Sequence, residues 1–128
     1  MEELLEFLDK YGVDYEIENE IENGKVICRF LDLSYKGIKE LPENIGSLEC
    51  EVLYLYSNNL KELPKSIGDI ICKEIHLHDN DIPKNKIKYL DLIENLEYAF
   101  TDYSNDLSEI KQLCNINSRK EKIKSLLD

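Results

Sequence analysis

The chain has 128 residues, 42% of them hydrophobic, and a formal net charge of −11. That length suggests one domain with a small core. The acidic balance argues against holding nucleic acid through its phosphates, which takes clustered lysine and arginine, and no stretch nears the ~18 consecutive apolar residues of a membrane span.

The N-terminus, Met1-Glu2-Glu3-Leu4-Leu5-Glu6, is acidic and lacks the basic region that opens a secretory signal. A cytoplasmic location is therefore expected. Residues 1–24 hold nine acidic residues against one base, Lys10, a net of −8. Within them, Leu4, Leu5 and Leu8 share one face of a predicted helix over residues 2–11, and Gly12 suits its end. Residues 14–28 read as a hairpin, with Tyr15, Ile17 and Ile21 interleaved with glutamates and Asn23-Gly24 as a strong turn signal. Glu16, Glu18, Glu20 and Glu22 are then expected along one face of its first strand.

From residue 28 onward the dominant feature is a repeat. Cys28, Cys50 and Cys72 are spaced 22 apart and 22 again. Aligned on them, three blocks read Cys28-Arg-Phe-Leu-Asp-Leu-Ser-Tyr-Lys-Gly-Ile38, Cys50-Glu-Val-Leu-Tyr-Leu-Tyr-Ser-Asn-Asn-Leu60 and Cys72-Lys-Glu-Ile-His-Leu-His-Asp-Asn-Asp-Ile82. Each follows L-x-x-L-x-L-x-x-N-x-L with Cys at the first apolar position, except that the first block has Lys36 where the others have Asn58 and Asn80. Leu31 and Leu33, Leu53 and Leu55, and Ile75 and Leu77 alternate as inward residues of short strands. The segments Leu41-Pro42-Glu43-Asn44-Ile45-Gly46 and Leu63-Pro64-Lys65-Ser66-Ile67-Gly68 repeat as well. Over residues 26–100 the chain resembles the intracellular leucine-rich-repeat family, in particular its L-P-x-x-I-G subgroup, which includes Ras-pathway scaffold proteins. The resemblance implies an α/β fold, a short solenoid of parallel strands. It also implies a buried Asn58 amide that satisfies the backbone of neighbouring turns.

The third block departs from this pattern. Pro83 follows Ile82, and Ile87, Leu90 and Ile93, with Tyr89, have helical spacing, so a short helix is expected there. Residues 96–100 are expected to add a fourth strand. From about Asp106 the apolar residues Leu107, Ile110, Leu113, Ile123, Leu126 and Leu127 predict a helical cap, interrupted at Asn115–Ser118. The expected organisation is one domain: residues 1–25 an N-terminal cap of helix plus hairpin, 26–100 three to four repeats, and 101–128 a C-terminal helical cap.

Alternation then lists a concave strand face. It comprises Phe30, Asp32, Ser34 and Tyr35, then Val52, Tyr54, Tyr56 and Ser57, then Glu74, His76, His78 and Asp79, with Asn95, Glu97 and Ala99 from the fourth strand. Aromatic residues supply contact area at low entropic cost, so Phe30, Asp32, Tyr35, Tyr54, Tyr56, Glu74, His76, His78 and Asp79 are the candidate partner-binding residues. A metal site on His76, His78 and Asp79 lacks a third histidine and the converging ligands such a site needs. The cysteine column has no CxxC pair and sits at a core position, where free Cys acts as a small hydrophobe. No nucleophile elbow, P-loop or H-E-x-x-H motif occurs. The expectation is a non-enzymatic protein without metal or cofactor.

Two functions fit. The first is a protein-binding module that uses the concave strand face to hold a protein partner, with no direct nucleic-acid or membrane contact. The second is an acidic inhibitor or nucleic-acid mimic that blocks a basic nucleic-acid-binding enzyme, as a phage-encoded anti-CRISPR or other anti-defence protein does. For that reading the N-terminal acids Glu16, Glu18, Glu20 and Glu22 would carry recognition.

Overall fold

The computed structural model describes residues 2–18 and 24–127. Helix α1, Glu2–Lys10, buries Leu4 and Leu8, which lie one turn apart on one face. Gly12 takes the left-handed conformation (φ +67°) that closes the helix, and the N–H groups of Gly12 and Val13 bond the carbonyls of Asp9 and Leu8. Strand β1, Glu16–Glu18, runs antiparallel to β2, Lys25–Ile27, so the hairpin forms. Asn23 of its turn lies outside the described residues, as do Glu20, Ile21 and Glu22.

The remaining strands are β3 (Phe30–Asp32), β4 (Leu48–Glu49), β5 (Val52–Tyr54), β6 (Glu74–His76) and β7 (Tyr98–Phe100). They overturn the expected single solenoid of parallel strands. The strands divide between two sheets, a mixed three-stranded sheet of order β1-β2-β4 and a parallel four-stranded sheet of order β3-β5-β6-β7. The architecture is α/β, with α1 before the sheets and helix α2, Leu107–Leu127, after them.

The split follows from the side chains. After buried Cys28 come two outward residues, Arg29 and Phe30, before buried Leu31. One straight strand cannot point two neighbours to the same side, so the chain bends there. Glu51 with Val52, and Lys73 with Glu74, repeat the bend. At each bend one carbonyl accepts two N–H groups: Arg29 from Glu51 and Val52, Glu51 from Lys73 and Glu74, and Lys73 from Glu97 and Tyr98. The cysteines therefore mark the corner between the sheets.

The return segments are 3-10 turns at Ile45–Ser47, Lys65–Asp69, Lys84–Lys86 and Leu90–Leu92. The single short helix expected at 84–93 is thus two turns, broken by Tyr89 at φ +73°. The two L-P-x-x-I-G glycines have a steric reason. A Cβ on Gly46 would stand 2.8 Å from the Ser66 carbonyl oxygen, and one on Gly68 would stand 2.8 Å from the Leu92 Cβ.

Asn58 is buried and ties successive blocks together. Its Oδ1 accepts the N–H groups of Lys36 and Ile38, both at 3.0 Å, and its Nδ2 donates to the carbonyls of Leu33 and Leu55. Asn80 does the same one block on, accepting from Leu60 and donating to Leu55 and Leu77. Helix α2 is not interrupted at Asn115–Ser118. Asn117 is buried there because its Nδ2 donates to the carbonyls of Lys84 and Ile87, the ends of a 3-10 turn. Ile110 and Cys114 complete the packed face of α2, whereas Ile123, Leu126 and Leu127, expected to pack, are exposed.

Candidate functional site

Register in the four-stranded sheet puts outward residues into rows. Phe30, Val52, Glu74 and Tyr98 form one row, and Asp32, Tyr54, His76 and Phe100 form the next. Tyr56 and His78 continue β5 and β6 beyond the strands. Tyr35, Ser57 and Asp79 follow at equivalent positions, all with left-handed backbone (φ +57°, +56° and +58°). Non-glycine residues pay a steric penalty in that region. Here the turn is held by Asp102, whose Oδ1 accepts the Asp79 N–H at 2.7 Å, and by Asp79 itself, which accepts the Ser57 hydroxyl at 2.8 Å.

The rings pack on one another in two ladders. Tyr54 stacks on His76 at 4.9 Å, and His76 stacks on Phe100 at 4.4 Å and 13°. Tyr56 lies nearly parallel to His78 at 4.8 Å, and Tyr35 meets Tyr56 edge-on at 5.5 Å. Stacking occupies ring faces, so the inner rings offer solvent their edges, hydroxyls and ring nitrogens. Tyr35 is 75% exposed, Phe30 58% and Tyr98 57%.

Carboxylates frame the rings. Glu74 Oε2 lies 2.8 Å from His76 Nε2. Asp32 accepts both the hydroxyl and the N–H of Ser34 on its Oδ1, and these bonds hold its carboxyl below the ordinary carboxylate range. No lysine or arginine stands in the two rows. Arg29 flanks them, with its guanidinium 5.6 Å over the Phe30 ring.

The structure therefore brings together Phe30, Asp32, Tyr35, Tyr54, Tyr56, Glu74, His76, His78 and Asp79. It does not place Asn95, Glu97 and Ala99 as expected from the fourth strand. Ala99 is fully buried, paired with Ile75, and Tyr98 and Phe100 take the outward rows instead. Tyr98 and Phe100 are the residues that sequence reasoning missed. The signal was Leu96, which is buried at the corner position that the cysteines occupy in earlier blocks and so sets Ala99, three residues on, inward. Glu16 is exposed on β1, the backbone of Glu18 lies in the same strand, and Glu20 and Glu22 lie outside the described residues. A face of four aligned glutamates is thus not part of the described structure.

At the corner between the sheets lies a cleft of about 630 Å³, floored by Cys28, Cys50, Cys72 and Leu96, with Arg29 and Lys73 at its rim. Burial pushes the Cys28 thiol up, and a hydrogen bond with Cys72 together with burial pushes up Cys50. These groups are thiols rather than thiolates, and the thiolate is the nucleophilic form. All four cysteines are free. Among the described residues no group of three or more His, Cys, Asp or Glu is placed to hold a metal ion, and no helix is long and apolar enough to cross a membrane.

No protein-family model matches the chain, and no curated protein matches it.

Proposed function

We propose that the chain is a non-enzymatic binding module that holds a protein partner on the outward face of its four-stranded sheet. The observation that carries this reading is the pair of ring ladders. Six aromatic or imidazole rings from Tyr35, Tyr54, Tyr56, His76, His78 and Phe100 stand in mutual contact on a surface left open to solvent. Rings fixed against one another lose little entropy on binding, and buried aromatic anchors dominate interface energetics. The 22-residue spacing of the rungs supports kinship with the leucine-rich-repeat family at the level of the repeated unit, and four free buried thiols suit a reducing cytoplasmic compartment.

The test is a variant with Tyr54, Tyr56 and His76 replaced by Ala, beside Tyr35→Ala, measured against the partner captured by the tagged protein. The triple variant loses ring stacking worth roughly 0.5–1.5 kcal/mol per pair, so its melt must show it folded at the assay temperature. Tyr35, the most exposed ring, is the variant least confounded by stability. Loss of binding in both, with folding retained, is the expected outcome. Intact binding in both removes the face from consideration.

The acidic-mimic reading has one observation in its favour, the net charge of −8 over residues 1–24. Acidic surfaces also serve solubility alone, and the ring ladders have no role in it.

A further inference from the structure

We propose that the open end of the first ladder, between Asp32 and Tyr54, seats an arginine side chain of the partner; this rests on the binding reading above. One face of the Tyr54 ring is taken by His76. On the side of the row away from His76 the next residue is Asp32 rather than a ring, because Asp32 and Tyr54 are register partners on adjacent strands, whose backbones run about 4.8 Å apart. A ring and an exposed carboxylate side by side on adjacent strands match the two ways a guanidinium is held, by stacking and by charge-assisted hydrogen bonds.

The carboxylate is prepared for this. Both Ser34 bonds fall on Oδ1, which leaves Oδ2 without a partner among the described residues. The bonds also fix the group's direction, so little order is lost on binding. No base of the chain stands in the row of Asp32, Tyr54, His76 and Phe100; Lys36 lies close enough for its charge to act on the Asp32 carboxyl but makes no ion pair with it. In the neighbouring row the chain makes the same contact internally, with Arg29 over Phe30. The guanidinium is preferred to an ammonium because it is planar, stacks on rings, is less strongly hydrated and forks onto a carboxylate. A net charge of −11 steers a cationic segment toward the molecule as a whole, but only the seat distinguishes arginine from lysine.

The experiment is an NMR titration of the full chain with acetyl-Gly-Arg-Gly-Arg-amide and with its lysine counterpart, following the Tyr54 ring and the Asp32 carboxyl. The arginine peptide is expected to shift both and to bind about five-fold tighter than the lysine peptide, the ratio set by an exposed stacking contact of about 1 kcal/mol. Asp32→Asn and Tyr54→Leu should each remove that preference, and Tyr54→Phe, which keeps the ring, should retain it. Should Tyr54→Leu fail to fold, Asp32→Asn decides alone, because an amide oxygen can still accept from Ser34. Equal binding of the two peptides, or a preference untouched by Asp32→Asn, overturns the seat. Such a result leaves the broader reading standing if the variants of Tyr35, Tyr54, Tyr56 and His76 still lose the captured partner. If those variants keep the partner, the face reading itself fails.

Discussion

Replacing Asn58 with Ala removes the strongest polar tie between successive blocks. Its side chain makes four well-formed bonds, two accepted at Oδ1 and two donated from Nδ2. Three of them serve buried backbone groups, the Ile38 N–H and the Leu33 and Leu55 carbonyls. The Lys36 N–H is only partly buried and can turn to water. A buried group left without a partner costs about 1–3 kcal/mol, and carbonyls with a second lone pair in use lose less. A loss of about 3 kcal/mol follows, which for a chain of this size lowers the melting temperature by about 10 °C. Thermal and urea melts followed by far-ultraviolet circular dichroism measure it, with Lys36→Ala as the comparison. Lys36 is exposed and contributes only its backbone to this network, so its variant should melt within about 2 °C of the parent, as surface substitutions do. Equal shifts in the two variants would refute the assignment of Asn58 as the tie.

Asn117→Ala should cost about 1–2 kcal/mol in the same melts, because it removes the side-chain donor from the Ile87 carbonyl and one of two donors from the Lys84 carbonyl, which keeps the Ile87 N–H; an unchanged melt would mean that α2 does not dock through this amide. Asp32 should titrate below its ordinary 3.8 by carboxyl NMR, and Ser34→Ala should move it back up. A carboxyl depressed in the folded state adds stability above its unfolded pKa and loses it as pH falls through the folded value, so that contribution should fade only below about pH 4. The four thiols should react with a disulfide reagent at mildly alkaline pH only as fast as the chain opens, since all four are buried and the Cys28, Cys50 and Cys114 thiols are raised. Rapid reaction of Cys50 in the native state would contradict its burial.

Much of the site was legible from the 22-residue spacing, because register in the sheet follows it: Phe30, Val52 and Glu74 pair in order, as do Asp32, Tyr54 and His76. The architecture was not, although the reason stood in the same blocks. Two non-core residues between Cys28 and Leu31 cannot belong to one straight strand through both, and the bend they impose divides the strands between two sheets. Simple alternation from buried Leu96 fails in the fourth strand for the same reason, because two outward residues, Glu97 and Tyr98, follow it before buried Ala99. The end of α2 misled by composition. Ile123, Leu126 and Leu127 have helical spacing but are exposed, and Lys88 with Glu121 is the described hydrogen bond nearest that end of the helix. Asn117 looked like a helix breaker in sequence and is instead an acceptor-seeking amide at the docking face.

The central claim, that the ring face carries recognition, is tested most directly by a salt titration of binding to the captured partner. Wild type is run beside the Tyr54, Tyr56 and His76 alanine variant and a variant with Glu16, Glu18, Glu20 and Glu22 changed to Gln. The account predicts a loss of about 2 kcal/mol or more for the ring variant. It predicts near-parental affinity for the glutamine variant, with a modest slowing of association. Affinity that collapses in the glutamine variant, falls steeply with salt and survives loss of the rings would contradict it, and would establish the acidic N-terminal segment as the binding surface.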